Sequence, residues 1–315
     1  MRIAHGHAAV EVPATSANLG PGFDALGLAL RLRDRIEIEA IAGADEVHVE
    51  GEGADSVPRD ADHLVLRALR AGLDHAGAPH PGIRMRCRNV IPHGRGLGSS
   101  AAAVVGGLML ARGLLADPSA LGDDAILDIA TRFEGHPDNA APALFGGATI
   151  AWTDGGTARA VRLALLDDEA LAPVVLAPAS PLATAKARGA LPAEVAHADA
   201  AFNVGRSALL VHALGADASL LLAATEDRLH QSQRAAVMPE TVELVRVLRS
   251  EGYAATVSGA GPSVLVLGGA DEHLPRLVSR VVSDPRGWRT ARVGVDRRGA
   301  VLLTSQDGGR AAAAQ

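Results

Sequence analysis

Two hydrophobic periods alternate along the chain. "AAVEV" (8–12) and "RIEIEA" (35–40) repeat apolar and polar residues every second position, as half-buried strands do. "DHLVLRALRAGLDHAG" (62–77) changes to helical spacing behind an aspartate able to cap it, with Gly77 at its end. "GIRMRCRNV" (82–90) alternates strictly, Ile83, Met85 and Cys87 on one face and arginines on the other. Helices are expected from Ser99 to Leu115 and from Asp124 to Phe133, then a strand in "GGATIAW" (146–152). "TDGG" (153–156) reads as a turn between the chain's halves. The second half opens on a buried type of strand, "VVLAP" (174–178), and continues with helices around 195–214 and 238–251. "YAATVSGAG" (253–261) runs as a strand into "PSVLVLG" (262–268), followed by a helix at 271–284 and strands at 290–295 and 300–305. Strands in runs with interspersed helices predict an α+β fold in two lobes, 1–155 and 156–305. The low-complexity end, 306–315, is expected to be disordered.

Composition narrows the class of protein. With 315 residues, 48% hydrophobic and 21% charged, the chain has a soluble globular balance and length for two domains. Its net charge of −6 offers no general attraction to nucleic acid or anionic membranes. No apolar run approaches the roughly 18 residues of a spanning helix, and "MRIAHGHAAVEV" lacks a signal-peptide core, so a cytosolic location is expected. One cysteine, Cys87, leaves no internal disulfide and no cysteine metal cluster. His5 and His7 form H-x-H without a nearby third ligand, which is poor metal-binding material. Lys186 is the sole lysine, so any cationic clamp falls to arginine, whose planar fork binds carboxylate or phosphate bidentately.

The densest chemistry lies in "PHGRGLGSSAA": Pro92, His93, Gly94, Arg95, Gly96, Leu97, Gly98, Ser99, Ser100, Ala101 and Ala102. No lysine follows the last glycine, which excludes the lysine P-loop. The spacing G-x-G-x-G also differs from the dinucleotide fingerprint G-x-G-x-x-G. Glycines that let several N–H groups converge, ahead of a helix whose N-terminal end is positive, nevertheless suit a phosphate. A strand-to-helix turn leading into a close-packed helix would also use these residues; the compound pattern favours phosphate. A serine at such a start can help to hold magnesium.

This loop resembles the signature of the GHMP small-molecule kinases, where it wraps the phosphates of ATP. "SGAGPSVLVL" (258–267) resembles the family's C-terminal glycine motif, carrying Gly259 and Gly261. "EGHPDNAAPALFGGATIA" (134–151) resembles its acidic segment, and "VPATSANLGPGFDALGLAL" (12–30) resembles the homoserine kinase branch closely. The resemblance covers about residues 8 to 305. It implies the two-lobed GHMP fold: an N-terminal lobe like domain 2 of ribosomal protein S5 and a C-terminal ferredoxin-like α+β lobe. It further implies ATP and Mg2+, L-homoserine as the phosphorylated alcohol in threonine biosynthesis, and a homodimer.

Carried over position by position, Asn18 and Asp24 match residues near the substrate amino and hydroxyl groups, and His136 and Asn139 match substrate contacts. Thr184 and Arg188, four apart and so on one face of a helix, join Arg234 as the pocket for the substrate carboxylate. Such a pairing of anion for ammonium and arginine for carboxylate suits an amino acid. Glu134 matches the magnesium-binding acid, working with Ser99 or Ser100. "DADHLV" (60–65) lies where the family places part of its adenine pocket. Asp24, Asp138 and Asn139 form the catalytic set; some relatives pair an aspartate base with a lysine, but Lys186 lies outside that motif, so direct transfer is expected with base assistance open. Two alternatives stand beside this reading: a GHMP kinase for another small alcohol, and a nucleotide-binding sensor of the same fold that has lost the chemistry. Ser99, Ser100 and Glu134 are all present, which disfavours the second.

Overall fold

The computed structural model describes residues 1–303. The tail 306–315 and the end of the expected strand 300–305 lie outside the described residues. In chain order the first part comprises β1 (His7–Ala17), β2 (Leu26–Ile41), β3 (Glu46–Gly51), α1 (Leu64–His75), β4 (Gly82–Asn89), α2 (Ser99–Leu114), α3 (Asp123–Glu134), α4 (Ala140–Phe145), β5 (Ala148–Asp154) and β6 (Thr157–Arg162). The second part comprises α5 (Asp168–Leu171), β7 (Val174–Pro178), α6 (Thr184–Gly189), α7 (His197–Gly215), α8 (Leu221–Ala224), α9 (Pro239–Ser250), β8 (Ala254–Val257), β9 (Val264–Leu267), α10 (Leu274–Val281) and β10 (Trp288–Arg292). The chain then returns to the first sheet as β11 (Val301–Leu302).

The seven-stranded first sheet has the order β11-β1-β2-β4-β3, with β5 paired to β2 and β6 to β5. The long strand β2 serves two neighbours: Leu26–Leu28 pairs with β5 and Arg35–Ile41 with β4. Alternation along β1, β2 and β4 gives the sheet one apolar face. Val10, Val12, Ile36, Ile38, Met85 and Cys87 join the main core together with Val65, Leu69, Val104, Val105 and Leu108 from the covering helices. α2 is apolar almost all round, as a helix enclosed by sheet and neighbours must be. The second sheet has the order β10-β7-β9-β8, antiparallel throughout, and with α9 and α10 forms a separate core around Leu176, Leu244, Val257, Val266 and Leu277. This βαββαβ arrangement is the expected ferredoxin-like lobe.

The sheets do not divide at residue 155. "TDGG" turns between β5 and β6 rather than between lobes, and both β6 and β11 belong to the first sheet. α7 also contributes Leu210, Ala213 and Leu214 to the larger core. Among the described residues no helix is long and apolar enough to cross a membrane.

Candidate active site

The glycine loop bridges β4 and α2, and its alternating glycines adopt left-handed backbone at φ 65, 71 and 68° for Gly94, Gly96 and Gly98. At two of them space is also decisive. A Cβ on Gly98 would lie 1.9 Å from Thr15 Oγ1, and one on Gly96 would lie 2.2 Å from the Ser258 carbonyl oxygen. The loop is thus pressed between β1 and the turn after β8. Gly98 is the N-cap of α2 with no side-chain cap, so the helix start suits an anion from outside the fold. Ser258 Oγ donates to Gly96 O at 2.7 Å, Gly259 N–H to Ala17 O at 3.1 Å, and Leu182 N–H to Gly94 O at 2.8 Å. The second lobe therefore buttresses the loop, through Leu182 and the "SGAGPS" turn after β8. Arg95 does not supply a phosphate clamp: its guanidinium donates to the carbonyls of His93, Pro178 and Ala179.

Beside the loop lies a cleft of about 320 Å³ that gathers Asn18, Gly94, Gly96, Leu97, Gly98, Ser99, Ser100, Glu134, His136, Asp138, Asn139, Thr184, Arg188, Arg234 and Gly259. These residues come from positions as distant as 18 and 259, and the two lobes meet at them. Ala101 and Ala102 are buried in α2 beneath the loop, and Gly261 sits in the turn behind it, its N–H on Ser258 O at 2.9 Å. Pro92 is half-buried in the approach from β4 and does not line the cleft.

The turn between β1 and β2 carries the first acidic group. Asn18, Leu19 and Asp24 all hold positive φ (70, 49 and 56°), a strain that persists only where surroundings enforce it. Asn18 does much of that: its Oδ1 accepts from Asp24 N–H at 3.0 Å and its Nδ2 donates to Gly259 O at 2.9 Å. Asp24 then receives Arg188 through both oxygens, at 2.6 and 3.2 Å, which raises the arginine's already high pKa. Arg234 is different. It is 1% exposed and donates to Ala187 O, His230 Nδ1 and Gly259 O, with no carboxylate within ion-pair distance among the described residues. Burial, then Arg188, pushes its pKa down to about 10, against the more distant charges of Asp227 and Asp24, so it remains a cation at neutral pH without a direct ion-pair partner.

Opposite these groups, His136 Nδ1 and Asp138 Oδ1 are 2.5 Å apart, and Asn139 Nδ2 donates to the same oxygen at 3.3 Å. Burial lowers the His136 pKa, but the bond to Asp138 and its charge outweigh this, and the net shift is upward. Ser100 Oγ donates to Glu134 Oε1 at 2.5 Å, and burial raises the Glu134 pKa against that bond. Asp24, His136 and Asp138 also bring one ligand atom each within 4.8 Å of one another, but Arg188 and the His136–Asp138 bond already occupy these groups. A second pocket, about 230 Å³, shares Ser99 and Ser100 with the cleft and is lined mainly by apolar groups including Ile36, Val57, Pro58, Leu64, Val65 and Ala103. His93 and His63 line it too, and of "DADHLV" the pocket takes Asp62, His63, Leu64 and Val65. Three residues escaped the sequence reading: Thr15, which donates to Asn139 Oδ1 at 2.8 Å, Phe23, flanked by the guanidinium groups of Arg188 and Arg234 at 5.6 and 5.9 Å, and His230. Phe23 adjoins Asp24, and His230 lies in "HQSQR" beside Arg234; that adjacency was their only signal.

Comparison with known proteins accords with this geometry. The GHMP kinases N terminal domain matches residues 63–147 and the GHMP kinases C terminal domain residues 207–284. The chain is 49% identical over 295 residues to homoserine kinase of Streptomyces avermitilis, covering 93% of this chain and 95% of that one. The chain belongs to the homoserine kinases of the GHMP kinase family. Homoserine kinase of Clavibacter michiganensis subsp. michiganensis is 51% identical over 308 residues, with 96% of each chain covered. Among solved structures, homoserine kinase from Cytophaga hutchinsonii superposes with a TM-score of 0.80 at 24% identity, covering 95% of this chain and 98% of that one. Mevalonate diphosphate decarboxylase from Staphylococcus aureus shares the fold more distantly, with a TM-score of 0.63 at 13% identity and coverage of 95% and 98%. These two homoserine kinase relatives match nearly end to end, and the glycine loop and acidic segment up to Gly147 lie inside the match to the GHMP kinases N terminal domain.

Proposed function

We propose that this chain transfers the γ-phosphoryl group of ATP to the side-chain hydroxyl of L-homoserine, giving ADP and O-phospho-L-homoserine for threonine biosynthesis. The observation that carries this reading is the buried cation Arg234, without an ion-pair partner among the described residues, in one cleft with Arg188 beside a phosphate loop; Asp24 does not line the cleft itself but stands behind Arg188, bonded to it through both oxygens. Two guanidinium groups and a carboxylate complement a zwitterion. The substrate carboxylate goes to Arg234 with Arg188 and Thr184, and its ammonium to Asp24. Mevalonate would bring no ammonium and galactose no charge. The base of ATP lies in the apolar pocket and its phosphates along Gly94–Ser100.

The hydroxyl oxygen attacks the γ-phosphorus, the bond to the β–γ bridging oxygen breaks, and the hydroxyl proton departs. Such transfer relies on positioning and charge stabilisation, which Asn18, His136 and Asn139 supply on the substrate side and the α2 N-terminus on the phosphate side. Asp138, held by His136 and Asn139, is the candidate proton acceptor. The Ser100 hydroxyl and the Glu134 carboxylate fit Mg2+, which asks for one or two oxygen ligands besides phosphate and water. A magnesium ion held there would supply positive charge to offset that of the phosphates. A homodimer and a cytosolic location go with this reading, the first tested by sedimentation.

ADP release measured with L-homoserine, L-threonine, mevalonate and galactose tests it. Turnover above background with homoserine, exceeding the other three, is expected. Background rates with homoserine beside clear turnover of another alcohol would overturn it.

A further inference from the structure

His230 is fully buried, and each polar atom of its ring has a partner that dictates its state. Nε2 lies 2.7 Å from the Gly20 carbonyl oxygen and Nδ1 lies 2.8 Å from Arg234 Nη1. A carbonyl can only accept, so Nε2 carries the proton; a guanidinium can only donate, so Nδ1 is bare. The ring is therefore the neutral tautomer, in keeping with burial, which lowers its pKa. Its face packs against Phe23, ring centroids 5.0 Å apart.

The two partners belong to opposite sides of the amino-acid site. Gly20 stands in the strained turn that presents Asn18 and Asp24, whereas Arg234 is the buried cation. Asp227, the neighbouring carboxylate, is held by Asn203 Nδ2 and by the N–H groups of Leu229, His230 and Gln231, 3.8 Å from His230 Nε2. It does not reach Arg234 within ion-pair distance. Acceptors without charge aim a guanidinium and leave its charge for a ligand; the Ala187 and Gly259 carbonyls do this at 3.2 and 3.4 Å, and His230 Nδ1 is the nearest of the three at 2.8 Å.

We propose that His230 is a positioning residue for recognition of the substrate carboxylate: it orients Arg234 as a neutral acceptor and ties it to the Asn18–Asp24 turn. The inference rests on the homoserine reading. Its test compares L-homoserine with 3-aminopropan-1-ol, which keeps the hydroxyl and the ammonium and lacks the carboxylate. In His230→Ala, KM for homoserine rises about tenfold or more, as loss of a hydrogen bond to a charged group implies, with kcat and KM for ATP within about two-fold. Turnover of 3-aminopropan-1-ol changes by less than about two-fold, and His230→Asn, which offers an oxygen near the place of Nδ1, recovers most of the homoserine affinity. An unchanged homoserine KM, or equal losses on both substrates, overturns the proposal. Should the alanine variant not fold, His230→Asn is set against His230→Gln, whose amide lies nearer Nε2: retention by Asn alone is expected, and equal KM values overturn it. A wild-type chain that fails to phosphorylate homoserine overturns the functional reading and this inference with it, before any variant is made.

Discussion

Glu134 and His136 stand two residues apart, and burial acts on both with opposite outcomes. For Glu134 burial dominates and raises the pKa toward the neutral acid, against the Ser100 bond and the charge of His136. Protonation on acidification therefore begins above the ordinary glutamate range, and with it the loss of the carboxylate we propose for Mg2+. The Mg2+ concentration for half-maximal turnover is expected to climb as pH falls toward that raised value. Glu134→Gln should raise this requirement more than about tenfold at pH 7.5 and remove its pH dependence, since removing even outer partners of a metal ligand costs ~10–100-fold. Magnesium titrations of ADP release from pH 5 to 8 check both.

His136 yields to Asp138 instead. Its folded pKa lies above the unfolded value, so the pair's contribution to stability is fully present below about pH 6.5 and disappears as pH rises through the folded pKa. In Asp138→Asn only burial and more distant charges remain, and the imidazole midpoint followed by NMR should fall below 6.5. Turnover of that variant within a few-fold of wild type would exclude Asp138 as the base. The groups themselves were legible: "EGHPDN" announces two acids, a histidine and an amide within six residues. The direction of each shift was not, because it depends on which atoms touch after folding.

At the scale of elements, the glycine alternation was legible because each glycine answers a local need for positive φ. Gly98→Ala should destabilise the fold by about 1–3 kcal/mol in urea titration and raise KM for ATP, because its methyl group would displace Thr15 from Asn139. Short elements stayed hidden. In β6 only Ala158 is buried and Val161 is exposed, so "TARAVR" carries little apolar signal; α4 is six residues long with Pro142 inside it. β3 alternates, Val47 and Val49 against Glu46, His48 and Glu50, but it is a six-residue edge strand with one buried position. Hiding β6 also displaced the expected boundary, since a strand past 155 belongs to the sheet before it.

Across the whole molecule the site is a seam, and Arg95 is one of the groups that close it. Sequence placed it inside a phosphate loop, and a lone arginine there reads as a clamp. Folding turns it toward the end of β7, where the carbonyls of Pro178 and Ala179 take two of its donors, while His93 O in its own loop takes a third. These two roles predict different behaviour for Arg95→Ala. A clamp would raise KM for ATP while leaving stability and KM for homoserine near wild type. A strut between lobes loosens both half-sites, because Gly94–Gly98 and the turn at Ser258–Gly261 hold the phosphate loop and Asn18 together. We expect a loss of about 0.5–1.5 kcal/mol in urea unfolding, the net worth of a typical hydrogen bond, because the acceptors at His93 and Pro178 are half-buried and that at Ala179 exposed, with both KM values raised. Saturating ATP and homoserine should offset that loss, since ligands that bind across the seam stabilise the closed pair by about 2.7 kcal/mol at a hundredfold excess over Kd. A variant of unchanged stability, impaired for ATP alone, would return Arg95 to the phosphates.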